Sequence, residues 1–432
     1  MRKWITFSPK NETLWNDQLT TFCTCYDHSI ILTNNQQPLP GPYNPLSSFN
    51  LLAGIDTLES ISCKASELKK QLKDNDWYLG FLSYDLKNEC HELPAMKKRT
   101  FIEFPNLHFF KPRWLIRKKD GIWQIGFSEK DNTKTEALTI VHQIEHSDPS
   151  NSSQSASGAI ILPSHNKKKY NADFNTIQSH IHRGDIYELN FCIEFTAENT
   201  SLAPARTFKR LMQLSPMPLS AMVKHHNRYA FCASPERYMA KRGNKIICMP
   251  MKGTAPRGRT ETEDLEAQIN LATSQKEKSE NTMITDLVRN DLSISARKGS
   301  VKVDELCGIY PFPNVFQMIS TISAQLKNSE DWTAPLLDSF PMGSMTGAPK
   351  VSAMKLIDLF ECNNRGLFSG AIGYISPERN FDFNVVIRTL LYDDEMKKIS
   401  FWAGSAITAE ANANDEYNEC LLKAKIIKEK LL

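Results

Sequence analysis

Short apolar and aromatic runs, separated by polar residues, characterise the first third of the chain. Residues 77–84, 107–110 and 114–117 are rich in aromatic and aliphatic side chains and predict strands. The pattern breaks at 147–168, where small polar residues dominate and cannot bury a core. We therefore expect three parts: an N-terminal region at 1–146, a Ser-rich loop or linker at 147–168, and a second region at 169–432. The alternative is a surface insertion within one folded unit.

Longer periodicities follow the break. Apolar residues at helical spacing predict a helix from 262 to 292; they are Leu265, Ile269, Met283, Leu287 and Val288. Residues 350–359, just after Pro349, and residues 415–432 also predict helices. Residues 381–388 and 399–403 predict strands. The second region is therefore expected to mix helices and strands.

Composition and charge exclude several classes of protein. The chain has 432 residues, 41% of them hydrophobic, and a net charge of +3, so it is expected to be globular with no nucleic-acid partner. Its start lacks a signal-peptide pattern, and no apolar run approaches the ~20 residues that cross a bilayer, so no membrane partner is expected. The ten cysteines are scattered without a Cys-x-x-Cys motif, which favours reduced thiols and a cytoplasmic location.

Two pairs of glutamates carry the first candidate chemistry. Glu277 and Glu280 lie in one predicted helix, and Glu416 and Glu419 lie in another. A spacing of three places both carboxylates of a pair on one helix face. Two such faces, brought together, would offer the hard oxygen ligands that Mg²⁺ prefers. The alternative is an ordinary solvated helix face.

A lysine and three anion-binding patterns are further candidates. Lys252, within the apolar segment 249–254, would act as a nucleophile if burial removed its proton, or it would simply extend from a strand end. Residues 343–350 form a glycine-containing turn that runs into a helix, where backbone N–H groups bind anions. Residues 403–406 follow a strand, and Arg388 would grip a carboxylate bidentately. Each of these is alternatively a plain turn or a surface charge.

The order of these motifs resembles that of the chorismate-utilising enzymes. This family includes anthranilate synthase component I, aminodeoxychorismate synthase component I, isochorismate synthase and salicylate synthase. The resemblance covers the second region and rests on segments 184–190, 234–237, 250–254, 280–291, 346–350, 386–388, 404–406 and 415–419. It implies an α/β fold of the α+β type, with two large antiparallel β-sheets packed as a sandwich. It also implies helices outside the sandwich and an active site in the cleft between its lobes.

The resemblance also implies roles for individual residues. Glu280 and Glu419 match the family's Mg²⁺ ligands, with Glu277 and Glu416 nearby or bridging through water. Glu236 matches the general acid that protonates the departing 4-hydroxyl, which requires a raised pKa. The positions that match substrate-binding residues are Gly253, Thr254, Gln317, Thr346, Phe368, Arg388, Gly404, Ser405, Ala406 and Lys423.

Lys252 indicates which activity within the family is implied, since aminodeoxychorismate synthases commonly carry lysine there and anthranilate synthases usually carry alanine. The family's lysine attacks C2 of chorismate and expels the 4-hydroxyl, and ammonia then enters at C4 and displaces the lysine. The product is 4-amino-4-deoxychorismate, a precursor of p-aminobenzoate and folate. The alternatives are anthranilate synthase component I and, more remotely, a non-catalytic binding subunit.

Three positions depart from the family pattern. Glu188 stands where aminating members have glutamine and isochorismate-forming members have lysine, so it would pair with Lys252 or receive a proton from ammonium. Gln317 replaces a histidine, and Phe368 replaces a tyrosine. No glutamine-amidotransferase motif is found either, so the resemblance implies that ammonia comes from a separate glutamine amidotransferase subunit.

Overall fold

The computed structural model describes residues 2–38, 49–94, 98–151 and 159–432. Its first ten strands are β1 (Arg2–Phe7), β2 (His28–Thr33), β3 (Leu51–Ile61), β4 (Tyr78–Leu82), β5 (Leu107–Lys119), β6 (Ile122–Ser128), β7 (Leu162–Pro163), β8 (Glu188–Ala197), β9 (Leu219–His225) and β10 (Arg228–Ser234). The others are β11 (Arg237–Arg242), β12 (Lys245–Met249), β13 (Met251–Pro256), β14 (Lys302–Pro311), β15 (Val315–Gln325), β16 (Gly347–Ala348), β17 (Ala371–Ile375), β18 (Phe381–Asn384), β19 (Thr389–Asp393) and β20 (Lys398–Ile407).

Eleven α-helices accompany these strands in the described ranges. They are α1 (Glu12–Cys23), α2 (Leu68–Gln71), α3 (Lys87–Cys90), α4 (Lys134–Glu145), α5 (Lys167–His182), α6 (Pro204–Leu214), α7 (Glu261–Thr273), α8 (Gln275–Ser295), α9 (Ala334–Asp338), α10 (Lys350–Phe360) and α11 (Ala413–Lys425). A π-helical segment, Ile426–Leu431, continues α11. No helix in the described residues is long and apolar enough to cross a membrane.

The strands pair antiparallel and form two arms that diverge from β5. One arm continues from β5 through β3, β2, β9, β10, β19, β20 and β8. The other continues through β4, β17, β18, β11, β12 and β15, which pairs with β13 and β14. The N-terminal half of β5 pairs with both β3 and β4, so this 13-residue strand belongs to both arms.

The arms pack face to face around a shared core. Ala230 and Cys232 of β10 lie in the same buried cluster as Leu79 of β4 and Ile372 of β17. The alternate β10 residues, including Phe231, face the opposite way, toward helices α1, α5, α6 and α11. Helices α8 and α9 cover the outer side of the second arm. The predicted antiparallel sandwich with helices outside is confirmed, with β5 joining the two layers.

The predicted helix at 262–292 is wrong in one respect, because the chain breaks at Ser274. Ser274 has extended backbone angles, and its side chain accepts the N–H of Glu277, so it ends α7 and caps α8. The predicted strand at 381–388 is also too long: β18 ends at Asn384, and Arg388 has a φ of +51°. A residue with positive φ does not fit a regular strand.

The division at 147–168 stays a prediction, and part of it lies at 152–158, outside the described residues. Within its last part, β7 (Leu162–Pro163) pairs with β8, and α5 starts at Lys167. Strands from the two regions pair with each other, β2 with β9 and β4 with β17. The two regions therefore share both arms of the sheet.

A buried ion pair ties β8 of the first arm to the segment between α9 and α10. Arg365 and Glu361 are 1% and 2% exposed in their side chains and lie 2.6 Å apart. Arg365 also donates to the carbonyl oxygens of Asn190 at 2.8 Å and Met345 at 2.6 Å. Its guanidinium lies 4.6 Å from the ring centre of Tyr84. One side chain thus fixes β8, the 343–346 segment and part of the N-terminal region.

Removing this guanidinium should destabilise the protein strongly. Arg365→Met leaves the buried Glu361 carboxylate and two carbonyl groups without their partner, and a loss of about 3–5 kcal/mol in the free energy of unfolding is expected. Chemical denaturation followed by circular dichroism measures it. The matched control is Glu129→Gln in the exposed pair with Lys3, which should change stability by less than about 1 kcal/mol. Equal losses in both variants would contradict a special role for the buried pair.

Candidate active site

Lys252 and Glu188 meet between the two arms. Lys252 lies in β13 of the second arm, and Glu188 is the first residue of β8 in the first arm. Lys252 Nζ is 2.6 Å from Glu188 Oε1, and the two side chains are 13% and 1% exposed. The other carboxylate oxygen, Glu188 Oε2, is buried without a hydrogen-bond partner. The pairing foreseen for Glu188 is therefore present in the structure.

Burial and neighbouring carboxylates have opposite effects on the charge state of Lys252. Burial lowers the pKa of Lys252, but the charges of Glu188, Glu280 and Glu419 outweigh this effect. The net result is a pKa above the usual lysine value, so Lys252 is an ammonium in the absence of a ligand. Nearby carboxylates thus replace the hydration lost on burial, as expected if Glu188 lies close and ionised, and the role of Lys252 as a nucleophile stays a prediction.

Glu236 is a buried carboxyl group suited to hold a proton. It follows β10 and is 4% exposed. Burial raises the pKa of Glu236 to about 7, against the opposing effects of a hydrogen bond from Ser344 and the charge of Lys252. Ser344 Oγ donates to Glu236 Oε1 at 2.7 Å. Near neutral pH this group is therefore partly protonated, as a general acid must be.

The two predicted glutamate pairs face each other on α8 and α11. Lys276 Nζ lies 4.0 Å from both Glu280 and Glu416, so one ammonium stands between the two helices. Burial raises the pKa of Glu280 to about 7 and raises the pKa values of Glu277 and Glu416. Glu419 differs, because its contact with Lys423 at 2.6 Å outweighs burial and lowers its pKa. Carboxylate oxygens are the ligands that Mg²⁺ prefers. Among the described residues, however, no three of these glutamates bring their oxygens within 4.8 Å of one another, so the Mg²⁺ site stays a prediction.

Gly253 lets the chain approach α8 beside Lys252. Its φ is +97°, and an added Cβ would lie 3.0 Å from Glu277 Oε2 and 3.1 Å from Met318 Cβ. Thr254 Oγ1, next along β13, donates to Gln317 Oε1 at 2.9 Å. Gln317, at the position where the resemblance leads us to expect histidine, thus holds the hydroxyl of Thr254.

Arg388 is a cation without a carboxylate partner among the described residues. Burial alone lowers the pKa of Arg388 to about 10, since no neighbouring charge contributes. Its one side-chain hydrogen-bond partner in the described part of the chain is Met217 Sδ, 3.6 Å from Nη1. A guanidinium in this state favours an anionic ligand.

The remaining predicted substrate-binding residues have their own contacts. Lys423 donates to the carbonyl oxygen of Gly404 at 2.9 Å, and Ser405 Oγ lies 3.2 Å from the hydroxyl of Tyr170. Ala406 pairs with Asn190 in the sheet. Thr346 is fully buried, and its hydroxyl bonds back to the carbonyl oxygens of its own turn. Phe368 stacks on Trp402 in the core, with ring centres 5.6 Å apart.

Asn281 is a positioning residue that the sequence patterns did not single out. Its Nδ2 donates to the carbonyl oxygens of Lys252 at 3.0 Å and Met318 at 3.1 Å. It is 2% exposed and ties α8 to β13 and β15. The sequence did contain one indication of this role: Asn281 is an amide directly after Glu280, on the inner face of a predicted helix.

Comparison with known proteins identifies the family. The model of the chorismate binding enzyme family matches residues 13–429, so the chain belongs to this family. Aminodeoxychorismate synthase component 1 of Klebsiella aerogenes is 33% identical over 349 residues, which cover 81% of this chain and 76% of the relative. Anthranilate synthase component 1 of Buchnera aphidicola is 30% identical over 382 residues, with 84% and 72% covered.

Other relatives are much longer than this chain. Aminodeoxychorismate synthase of Streptomyces griseus is 36% identical over 262 residues, which cover 60% of this chain and 36% of the relative. The chain thus spans about a third of the length of that protein.

Among solved structures, the menaquinone-specific isochorismate synthase MenF of Escherichia coli has a TM-score of 0.78 at 14% identity, covering 100% of this chain and 94% of that one. At this identity the likeness establishes the fold.

Replacing Glu188 should lower the pKa of Lys252. Glu188→Gln removes a carboxylate charge and leaves the burial of Lys252 in place, so the ammonium becomes easier to deprotonate. Acylation of Lys252 by a small amine-selective reagent, followed by peptide mass spectrometry, should shift to lower pH in the variant. Exposed Lys298 serves as the internal reference, and Glu194→Gln as a control for altering a buried glutamate. An unchanged pH profile at Lys252 would show that Glu188 does not control its proton.

Proposed function

We propose that the chain is the large component of an aminodeoxychorismate synthase, which converts chorismate and ammonia to 4-amino-4-deoxychorismate for p-aminobenzoate and folate synthesis. The observation that carries this proposal is Lys252, a buried lysine in contact with Glu188 and close to Glu236 and Glu280. Membership of the chorismate binding enzyme family and relatives named aminodeoxychorismate synthase support it.

The proposed first step needs a base for Lys252, and Glu188 fits this role. One proton passes from Lys252 Nζ to Glu188, where the free Oε2 adds a site for it. The neutral amine then forms a bond to C2 of chorismate while the bond from C4 to its hydroxyl oxygen breaks. Glu236 gives its proton to the departing oxygen, which leaves as water.

In the second proposed step, ammonia forms a bond to C4 and the bond between Lys252 and C2 breaks. This restores the lysine and releases the aminated product, so that one difficult substitution is divided into two easier ones. Arg388, which lacks a carboxylate partner among the described residues, is the proposed contact for a substrate carboxylate. Mg²⁺ bound by Glu280 and Glu419, with Glu277 and Glu416 beside them, would neutralise a second carboxylate.

Ammonia is proposed to come from a separate glutamine amidotransferase subunit. The name component 1, carried by the Klebsiella aerogenes relative, implies a partner component for that protein. A glutaminase partner for this chain is the corresponding proposal. Anthranilate synthase component I is the second candidate, supported by the Buchnera aphidicola relative of that name.

Product identity and an enzyme adduct together test this proposal. Purified chain with chorismate, Mg²⁺ and ammonium should form 4-amino-4-deoxychorismate, identified by mass spectrometry. Rapid quenching should reveal a chorismate-derived mass increment on the wild-type protein, located at Lys252. Lys252→Ala should lose the increment and most of the amination, whereas Lys298→Ala at an exposed site should retain both.

Each other outcome has a defined meaning. Anthranilate and pyruvate as products would identify the second candidate instead. No reaction with chorismate would support a binding subunit. Equal amination by wild type and Lys252→Ala would rule out the covalent step while leaving the aminating activity in place.

The pH dependence should report the proton on Glu236. Its pKa is raised to about 7, so the acid form exists below that pH and disappears above it. At saturating Mg²⁺ and a constant concentration of free NH₃, the amination rate should therefore fall by up to about tenfold per pH unit above pH 7. Glu236→Gln should lower the rate by about 10²–10⁴-fold and lack this ionisation.

Glu194→Gln is the matched control for this pH profile. Burial also raises the pKa of Glu194, but its partners are Ser400 and Asn363 rather than Lys252. Its variant should keep the alkaline decline of the wild type. A Glu236→Gln enzyme with the wild-type profile would assign the proton to another group.

A further inference from the structure

Three histidines far apart in sequence meet at one end of the sandwich. His28 begins β2, His108 lies in β5, and His225 ends β9. His28 and His225 are direct partners in the β2–β9 pairing. Each ring offers a nitrogen, and the three nitrogens lie within 4.8 Å of one another. In the described part of the chain, no other group of three histidine, cysteine or acidic side chains is this close.

The three rings have nitrogens that lack hydrogen-bond partners. His28 Nδ1, His108 Nε2 and His225 Nδ1 are buried and unpaired. Leaving a buried polar atom unpaired costs about 1–3 kcal/mol, and three such atoms together are unusual in a well-packed protein. A common ligand would satisfy all three at once.

The histidine rings are packed among aromatic side chains. Phe81 and Phe110 pack against His108, with ring centres 5.5 and 6.4 Å away. His108 and His225 are 2% and 7% exposed, so the rings meet largely away from solvent.

A second contact orients one of the rings. Ser62 Oγ lies 3.1 Å from His108 Nδ1, which leaves His108 Nε2 as the free nitrogen. Metal-binding histidines usually have their other nitrogen held in this way. The exposed His226 stands beside the group, its ring centre 4.7 Å from those of His28 and His225, on the side open to solvent.

We propose that His28, His108 and His225 form a site for a divalent transition metal, with Zn²⁺ as its natural ligand. Three imidazole ligands suit Zn²⁺ and do not suit Mg²⁺, which prefers oxygen ligands. Zinc–nitrogen bonds of about 2.0–2.1 Å bring tetrahedral ligands to about 3.4 Å from one another, so small side-chain rotations close the site. Water, or His226 after a rotation, takes the fourth position.

The histidine site is separate from the chorismate site. The β9–β10 hairpin carries His225 at one end and Ser234, two residues before Glu236, at the other. The seven residues of β10 span about 20 Å. A metal held by β2, β5 and β9 would link the N-terminal region to the rest of the sheet, so its expected effect is on stability and not on the chemistry at Lys252.

Cobalt substitution tests the site directly. Purified full-length chain, treated with a chelator and then held in excess Mg²⁺, is titrated with Co²⁺ and followed by visible absorption. One Co²⁺ per chain should produce intense visible bands of a tetrahedral ion, without the ultraviolet charge-transfer band of cysteine thiolates. Zn²⁺ should displace the Co²⁺ and raise the melting temperature.

Variants identify the ligands. His28→Gln and His225→Gln should each weaken Co²⁺ binding by more than about tenfold and abolish the Zn²⁺-dependent rise in melting temperature. The exposed His182→Gln is the matched control and should bind as the wild type does. Melting temperatures without metal show whether the variants fold.

Three results would overturn the proposal. They are wild-type chain that binds no Co²⁺, binding that is equal in the folded His28→Gln and His225→Gln variants, and a thiolate charge-transfer band. In each case the imidazoles would be a packed aromatic cluster and not a metal site.

Discussion

The buried pair between Arg365 and Glu361 is the constraint on which the site depends. A charge removed from water costs several kcal/mol, and Arg365 offsets that cost by using its donors on Glu361, on two carbonyl groups and on Ser369. Those carbonyls belong to Asn190, two residues after Glu188, and to Met345, next to the Ser344 that holds Glu236. Because the guanidinium is rigid and planar, it fixes these two backbone segments at a set separation.

The electrostatics of the site follow from this placement. Several carboxylates surround one lysine in a region of low solvent access. Burial raises the pKa of Glu236 and Glu280, and the charges of Glu188, Glu280 and Glu419 raise that of Lys252. The groups therefore titrate as a set, and a change at one changes the others. A cation or a substrate carboxylate arriving in this set would redistribute the protons, so the resting ammonium on Lys252 is compatible with its proposed role as a nucleophile.

Local patterns in the sequence predicted many of the helices and strands. Contacts between distant segments determine the side-chain environments, and these were not predictable from local patterns. Helix α10 and the paired glutamates follow from short-range spacing and were predicted. The break at Ser274 is a capping signal that the longer apolar periodicity concealed. The raised pKa of Lys252 depends on Glu188. These residues lie in β13 and β8, which belong to different arms, and only the packing of the two arms brings them together. Phe368, a predicted substrate contact, stacks on Trp402, a contact between distant segments that local spacing does not indicate.

The position of the site between two arms couples stability to chemistry. Lys252 and Glu188 belong to different arms, and their 2.6 Å contact exists only while the shared core holds the layers in register. Protein interiors are close-packed, so even one lost methylene in that core weakens the packing between the layers. A displacement of 1 Å is enough to disturb a catalytic geometry. Core residues such as Leu79 and Cys232, which touch no substrate, therefore contribute to the arrangement of the proton-transfer groups.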